Sequence, residues 1–483
     1  MTLEQEIKQF VNDLGVDVVG IAGPGRFDGP PSLDPTHVLE SAKSVICYAI
    51  PFEAQPIYDH LSKKSGIPHN IDQIRKMQRS MHVARKLSRF MEGKGYNAGS
   101  IGCNIDYRRD PDIFSTNPRF CHRYGAYVTG IAAPGISGNA VTEKYGAAVV
   151  LNTVFTDARL ESDPILDPRH FFDGRCQQCM ACTGACPPKM FEAVEEEYAL
   201  INGELYPRGR KRSIDLCNVA CFGLHALSST KKFSSWGKTW QPDWVGKEPL
   251  PEGNNLRMTL LKAFLTVKDL PARVQPLFDT YSKPTGSSSK PSWEEGFFED
   301  KKNFPDYEDL PGETEGRKLR AYADILENIC GYHIDDPVGM TCAHCMQVCG
   351  QNPEESIKRY MMLANGGILA YASGNEPVIL DNYEDAVAQR AKYQYKNRTI
   401  VKLEFWWLQI YNVMKYIGVD FHTLKYKNKY KQRLMAAMAD ELSKEKSMKN
   451  KNRNATQIAA LADELSKEKS MKNKNRNATH EAA

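Results

Sequence analysis

The chain has 483 residues, 41% hydrophobic and 25% charged, a composition that supports buried cores without staples and excludes a disordered chain. Its 63 basic and 59 acidic residues leave a net charge of +4, and much of that excess lies in the Lys-rich tail after residue 422, so charge gives no ground for a nucleic-acid partner. No uncharged apolar run reaches the roughly 18 residues of a spanning helix.

The opening MTLEQEIKQFVNDLGVDVVGIAG has no basic leader region, apolar stretch, small-residue cleavage site or twin-Arg pair, and a cytoplasmic location is expected. Residues 1–165 then alternate between two hydrophobic periods. IKQFVNDLG and MQRSMHVARKLSRFMEGKGY have helical spacing, whereas VDVVGIAG, SVICYAIPF and GAAVVLNTVF are short apolar strands. This pattern predicts an α/β or α+β domain. The segment 228–324 is dense in Pro, Gly, Ser and Trp and is expected to be an extended excursion over a surface. Within 366–430, the stretch 401–421 is amphipathic and interrupted by Lys402, Glu404 and Lys415. It is expected to pack on the body, with peripheral contact to a membrane or a partner subunit as the alternative. In 431–483 the sequence ADELSKEKSMKNKNRNAT occurs twice with a period of 23 residues, too polar to build a solenoid core, and reads as a solvated tail.

The chemistry is concentrated in thirteen cysteines. In a reducing compartment thiols at such density favour metal or redox chemistry over disulfides. Cys176, Cys179, Cys182 and Cys186 precede Pro187 and make C-x2-C-x2-C-x3-C-P, the spacing that wraps three thiolates round one [4Fe–4S] cube while the fourth reaches a second cube. Zinc motifs come instead as paired C-x2-C units set well apart. A second group, Cys330, Cys342, Cys345 and Cys349, supplies the complement. By ferredoxin logic Cys176, Cys179 and Cys182 take Cys349, while Cys342 and Cys345 take Cys186 and one upstream thiol. Cys330 is the first choice for that thiol, with Cys217 and Cys221 in competition. His344 reads as a hydrogen-bond donor or surface residue and not as a ligand, and Cys47 as core packing. Two cubes in one small fold form a wire for single electrons. No G-x-G-x-x-G opens a helix after a strand and no Walker loop is present, so a dinucleotide or nucleotide at its end has no support.

The order of these motifs resembles the corrinoid-dependent iron–sulfur reductases, the superfamily of reductive dehalogenases and epoxyqueuosine reductases. The resemblance rests on LGVDVVGIA near the start, on HRYGAYVTGIAAPGISGNAVTEKYGAAVVLNTVFTDARLESDPIL, and on the C-x11-C-x2-C-x3-C spacing from Cys330, and covers roughly residues 1–225 and 325–360. It implies an α+β protein in which a nitroreductase-like core at 1–165 holds cobalamin and a ferredoxin-like domain at 166–227 and 325–365 holds two [4Fe–4S] clusters. It also implies Gly135, Ser137, Gly138 and Asn139 as close backbone contacts to the corrin. For the proton donor, dehalogenases imply a Tyr helped by a basic residue and epoxyqueuosine reductases an Asp. Here Asp106, Tyr107 beside Arg108, and Tyr124 beside Arg123 are the candidates, with His122 adjacent. The chain departs from both families in ending its second group CGQNP, in reading SGN where epoxyqueuosine reductases have Gly-Lys-Asn, and in the long segment between the Cys groups.

The function expected is reductive cleavage of a carbon–halogen bond in a small organohalide, fed by an external low-potential donor such as ferredoxin or flavodoxin. The alternatives are epoxide reduction on tRNA, and a non-catalytic electron-transfer or corrinoid-activating protein.

Overall fold

The computed structural model describes residues 1–102, 117–221, 223, 225–237, 297, 300–330, 342–372 and 376–393. The stretch 401–421 and the repeated tail lie outside them.

Helix α1 (Leu3–Asp13) starts on a capping box, in which Thr2 accepts from the Gln5 N–H and Gln5 returns a bond to the Thr2 backbone. Its buried Ile7 and Val11, four residues apart, share one face. Strands β1 (Val18–Ala22) and β2 (Ser44–Pro51) follow, then α2 (Ala54–Leu61), the 27-residue α3 (Ile67–Gly93), β3 (Ala98–Ile101), α4 (His122–Val128), the short pair β4 (Ala133–Pro134) and β5 (Ala140–Val141), and β6 (Val149–Thr156). The main sheet has the order β1-β2-β6-β3 with every neighbour antiparallel, and Cys47 pairs with both Gly20 and Thr153.

Strand β2 shows why the run SVICYAI is apolar throughout. Successive side chains leave a strand on opposite faces. Ile46, Tyr48 and Ile50 enter one core with Ile7 and Val11 of α1 and Val83, Leu87 and Met91 of α3, while Val45 and Cys47 enter a second core with Ala126, Tyr127 and Val128 of α4. Both faces of an antiparallel sheet are therefore covered, which makes the body α+β. The helical and strand-like readings at the start of the chain correspond to α1, β1, β2, α3 and β6, with α3 beginning ten residues before the stretch quoted for it.

After the body, a π-helical turn (His170–Cys176) leads into α5 (Gln177–Cys179) and α6 (Ala181–Gly184). A hairpin, β7 (Phe191–Ile201) and β8 (Glu204–Lys211), precedes α7 (Ile214–Cys221). Its turn puts Asn202 at φ +53° and Gly203 at φ +81°, the two left-handed residues of a type I′ connection. The tip is fastened to the body: Asn202 donates to Arg26 O at 2.8 Å and accepts from the Asp28 N–H at 3.0 Å, and Tyr206 stacks on Tyr127 with centroids 5.4 Å apart.

The ends of the 228–324 segment are not a surface excursion. Trp236 is fully buried against Ile67, Ile71, Phe304, Leu319 and Tyr322, and its indole N–H donates to His60 O at 2.9 Å. A large apolar ring with one donor is stable in a core when that donor is met. The helix Glu315–Cys330 also runs through the expected boundary at 324/325. Among the described residues no helix is long and apolar enough to cross a membrane.

Candidate iron–sulfur site

The two Cys groups use one backbone device. In C-x2-C-x3-C the residue after the first thiol, Met180 in one loop and Ala343 in the other, is left-handed, at φ +50° and +64°. A one-turn helix follows each, Ala181–Gly184 and His344–Gln347, and the two turns pack on one another. A non-glycine residue pays roughly 1–2 kcal/mol for that conformation, a cost that the packing of the two loops has to meet. Cys179, Cys182 and Cys186 thus correspond to Cys342, Cys345 and Cys349. The first loop has Cys176 in addition, and the second has no thiol at the matching position.

Packing interleaves the loops. Cys182 faces Cys176, Cys179, Cys345 and Cys349, while Cys186 faces Cys342, Cys345 and Cys217. Cys217 and Cys221, one turn apart on α7, both stand against Cys342 and Cys345. The Cys330 side chain, with Cys103, Asp106, Tyr107 and Arg108, lies outside the described residues.

These thiols are deep, yet most keep accessible surface. Cys342 is buried, Cys176, Cys179, Cys182, Cys186, Cys217, Cys345 and Cys349 are half-buried, and Cys221 is exposed by area. Withdrawal from bulk water still pushes Cys182 and Cys186 well above the ordinary thiol value, Cys176 to about 11 and Cys342 to about 12. Thiols gathered in this way are the donor set that an iron–sulfur cluster takes. A single zinc ion binding thiolates at about 2.3 Å needs them within about 4 Å of one another. Among the described residues no three His, Cys, Asp or Glu side chains converge in that way. Cys217 alone goes down, to about 7, through a hydrogen bond from Cys221 against the cost of burial, helped by Lys211 and Arg123.

Two glycines let the body approach the thiols. A Cβ on Gly146, at φ +69°, would stand 2.4 Å from Cys349 O and 2.0 Å from Gly350 O. A Cβ on Gly135 would meet Cys176 Sγ at 3.2 Å. The nearest contact would be Val141 Cγ2 at 2.9 Å, so Gly135 is hemmed in by β5 and a thiol together. The Ile136 N–H points at Cys176, and Asn139 Nδ2 donates to Cys345 Sγ at 3.5 Å. Ser137 is buried, and Gly138 lies against Arg208 and Lys211. The turn thus lies between the thiol loops and the hairpin.

Arg123 acts on Tyr124 through its charge, without a hydrogen bond to the phenol. Its guanidinium donates to Gly138 O at 3.3 Å, while the hydrogen bond to the Tyr124 phenol comes from Arg208 on β8. Burial and Cys121 push that phenol above its usual value, against the lowering by Arg208 and Arg123. His122 holds Thr153 Oγ1 at 2.9 Å, and burial lowers it to about 4. His344 is wholly buried, not a surface residue, with Nδ1 3.3 Å from Ala185 O. Cys47 is buried as expected. Arg208 and Lys211 were missed by the sequence reading, although Asn202-Gly203 between alternating residues is a hairpin signal.

No protein-family model matches the chain, and no curated protein is similar to it in sequence. Solved structures similar to it are of the two enzyme kinds that the sequence resembles. A reductive dehalogenase, whose structure suggests a mechanism for B12-dependent dehalogenation, is 16% identical at a TM-score of 0.35, over 57% of this chain and 36% of that one. An epoxyqueuosine reductase with an epoxyqueuosine-modified tRNA-Tyr stem loop is 17% identical at 0.31, over 74% and 99%. The enzyme from Streptococcus thermophilus is 13% identical at 0.31, over 75% and 98%. The chain thus spans about a third of the dehalogenase and nearly all of the epoxyqueuosine reductases.

Proposed function

We propose that the chain is an iron–sulfur oxidoreductase that relays single electrons through two [4Fe–4S] clusters to a cobalamin and reductively cleaves the carbon–halogen bond of a small organohalide. The interleaving of the two thiol loops carries this reading: each loop offers a fourth thiol to the other, as two-cluster ferredoxin spacing requires. Cys176, Cys179, Cys182 and Cys349 hold the first cube. Cys186, Cys342 and Cys345 hold the second with Cys217, which faces all three. Burial raises Cys176, Cys182, Cys186, Cys342, Cys345 and Cys349, so cluster binding at these thiols releases protons.

The overall change is R–X plus two electrons and a proton giving R–H and halide, with both electrons supplied one at a time by a low-potential donor of the ferredoxin or flavodoxin kind. Cobalamin, when bound, supplies a strongly reducing cobalt centre. Gly135, Ser137, Gly138 and Asn139 are the residues proposed to lie against it. The chain supplies the proton: Tyr124 Oη is protonated at neutral pH, and the Arg208 hydrogen bond steadies the phenolate left after donation.

Anaerobic purification with cobalamin present, followed by metal analysis and electron paramagnetic resonance, tests the reading. About eight irons and one cobalt per chain are expected, with halide released from a haloarene and that release reduced about 100-fold in Tyr124→Phe. Cys182→Ala is expected to lose about half the iron. Zinc in place of iron, or specific tRNA binding without halide release, overturns it.

A further inference from the structure

The two thiol quartets differ in what faces them. The first is met by main chain and one arginine: the Ile136 N–H approaches Cys176, and Ala147 N–H with Arg175 approaches Cys349. The second is met by main chain as well, with Met190 N–H 3.3 Å from Cys186 Sγ and the Ala343 and His344 N–H groups at Cys342, and in addition by a side-chain amide and two cations. Asn139 Nδ2 reaches Cys345 Sγ at 3.5 Å, and Arg123 and Lys211 both face Cys345 and Cys217. None of the three belongs to a thiol loop. Asn139 closes the turn before β5, Arg123 stands on α4, and Lys211 ends the hairpin strand β8.

Their positions are fixed through one turn. Arg123 donates to Gly138 O, and a Cβ on Gly138 would lie 3.5 Å from Lys211 Nζ. Lys211 faces Glu197 and Cys217, with Arg123 and Arg208 as neighbouring cations, and its ammonium adds positive charge at the Cys217 thiol. A cube that takes one electron gains one negative charge, spread over its sulfurs. Donors and cations at those sulfurs stabilise the reduced form over the oxidised one, and so raise the potential.

We propose that Asn139, with Lys211 beside it, sets the reduction potential of the second cube above that of the first, so that an electron entering through the first cube comes to rest on the second. This rests on the ligand assignment proposed above. Both residues act through Cys345 and Cys217 and are positioning residues.

The test is a redox titration of the anaerobic, iron-loaded protein with dithionite, followed by electron paramagnetic resonance, the two signals being assigned with Cys182→Ala. Asn139→Leu is expected to make reduction of the second cube about tenfold less favourable, about 59 mV lower for one electron, with the first cube unmoved. Lys211→Met is expected to shift the same signal in the same direction, and Lys211→Arg to remain within about threefold of the parent. Equal displacement of both cubes, or of neither, at full iron content overturns the inference. Should Asn139→Leu lose iron, Lys211→Met against Lys211→Arg carries the comparison, and equal potentials in that pair overturn it. A parent protein without iron overturns the cluster reading and this inference together; a parent with both cubes and no selective shift overturns this inference alone.

Discussion

The body and the thiol region are held together by different means. In the body, β2 and β6 lie between two apolar cores, and side chains such as Ile46, Leu87 and Val154 are wholly buried. Each such side chain contributes roughly 1.5–3 kcal/mol, so this half stands on burial alone. Around the thiols the elements are single turns, Gln177–Cys179, Ala181–Gly184 and His344–Gln347, with left-handed Met180 and Ala343 between them. Helices this short have no stability of their own. Their Ala181, Ala185 and Val348 pack into an apolar core with Phe52, Ile57, Val150 and Leu363, and under the proposed function the clusters add to that hold, so the thiol region depends more on its contents than the body does.

The largest expected effect breaks the two apart. Removing iron with a chelator should abolish hydrogen-exchange protection in 176–186 and 342–349 while leaving α3, β2 and β6 protected; loss of both regions together would refute the comparison. Next, Leu87→Ala should cost about 2–5 kcal/mol in denaturant unfolding, with no change in iron content of the protein that remains folded.

Acid sharpens the contrast. Burial lowers His69 and His122, both associated with the body, to about 4. At these two sites the unfolded chain, with imidazoles near pH 6.5, binds more protons than the native one between those values, so their contribution to stability is constant above about 6.5, falls as pH drops toward 4, and levels below. Each histidine accounts for roughly 2–3 kcal/mol of that fall. Both ring nitrogens of His69 lack a partner, so His69→Phe should flatten the slope measured by thermal melts across this window. The smallest effect is local: Met180→Gly and Ala343→Gly relieve a left-handed side chain and should each stabilise the iron-loaded protein by about 1 kcal/mol or less, a change visible in iron-release rates.

The body was legible because its residues obey simple periods. The run 44–50 alternates between two cores, and the α3 face repeats at Val83, Leu87 and Met91, so strand and helix could be read without knowing their partners. The Cys spacing made the interleaving of the loops legible too. What was not legible depends on contacts between distant segments. Arg208 reaches Tyr124 only because a hairpin tip is pinned at Arg26 and Asp28, and Trp236 is buried only because α3 and the helix Glu315–Cys330 enclose it. Sequence shows that Gly135 is small but not that Val141 and Cys176 come close to it.

Interleaving has a consequence for synthesis. Under the proposed ligand sets Cys182 is partnered by Cys349 and Cys186 by Cys342, so neither set of four is complete until residue 349 has left the ribosome. The two cores of the body draw on residues only as far as Tyr206 and can form well before then. On that proposal iron delivery is postponed to a late stage, and a chain truncated before residue 342 would keep its front half and lose the means of retaining either cube.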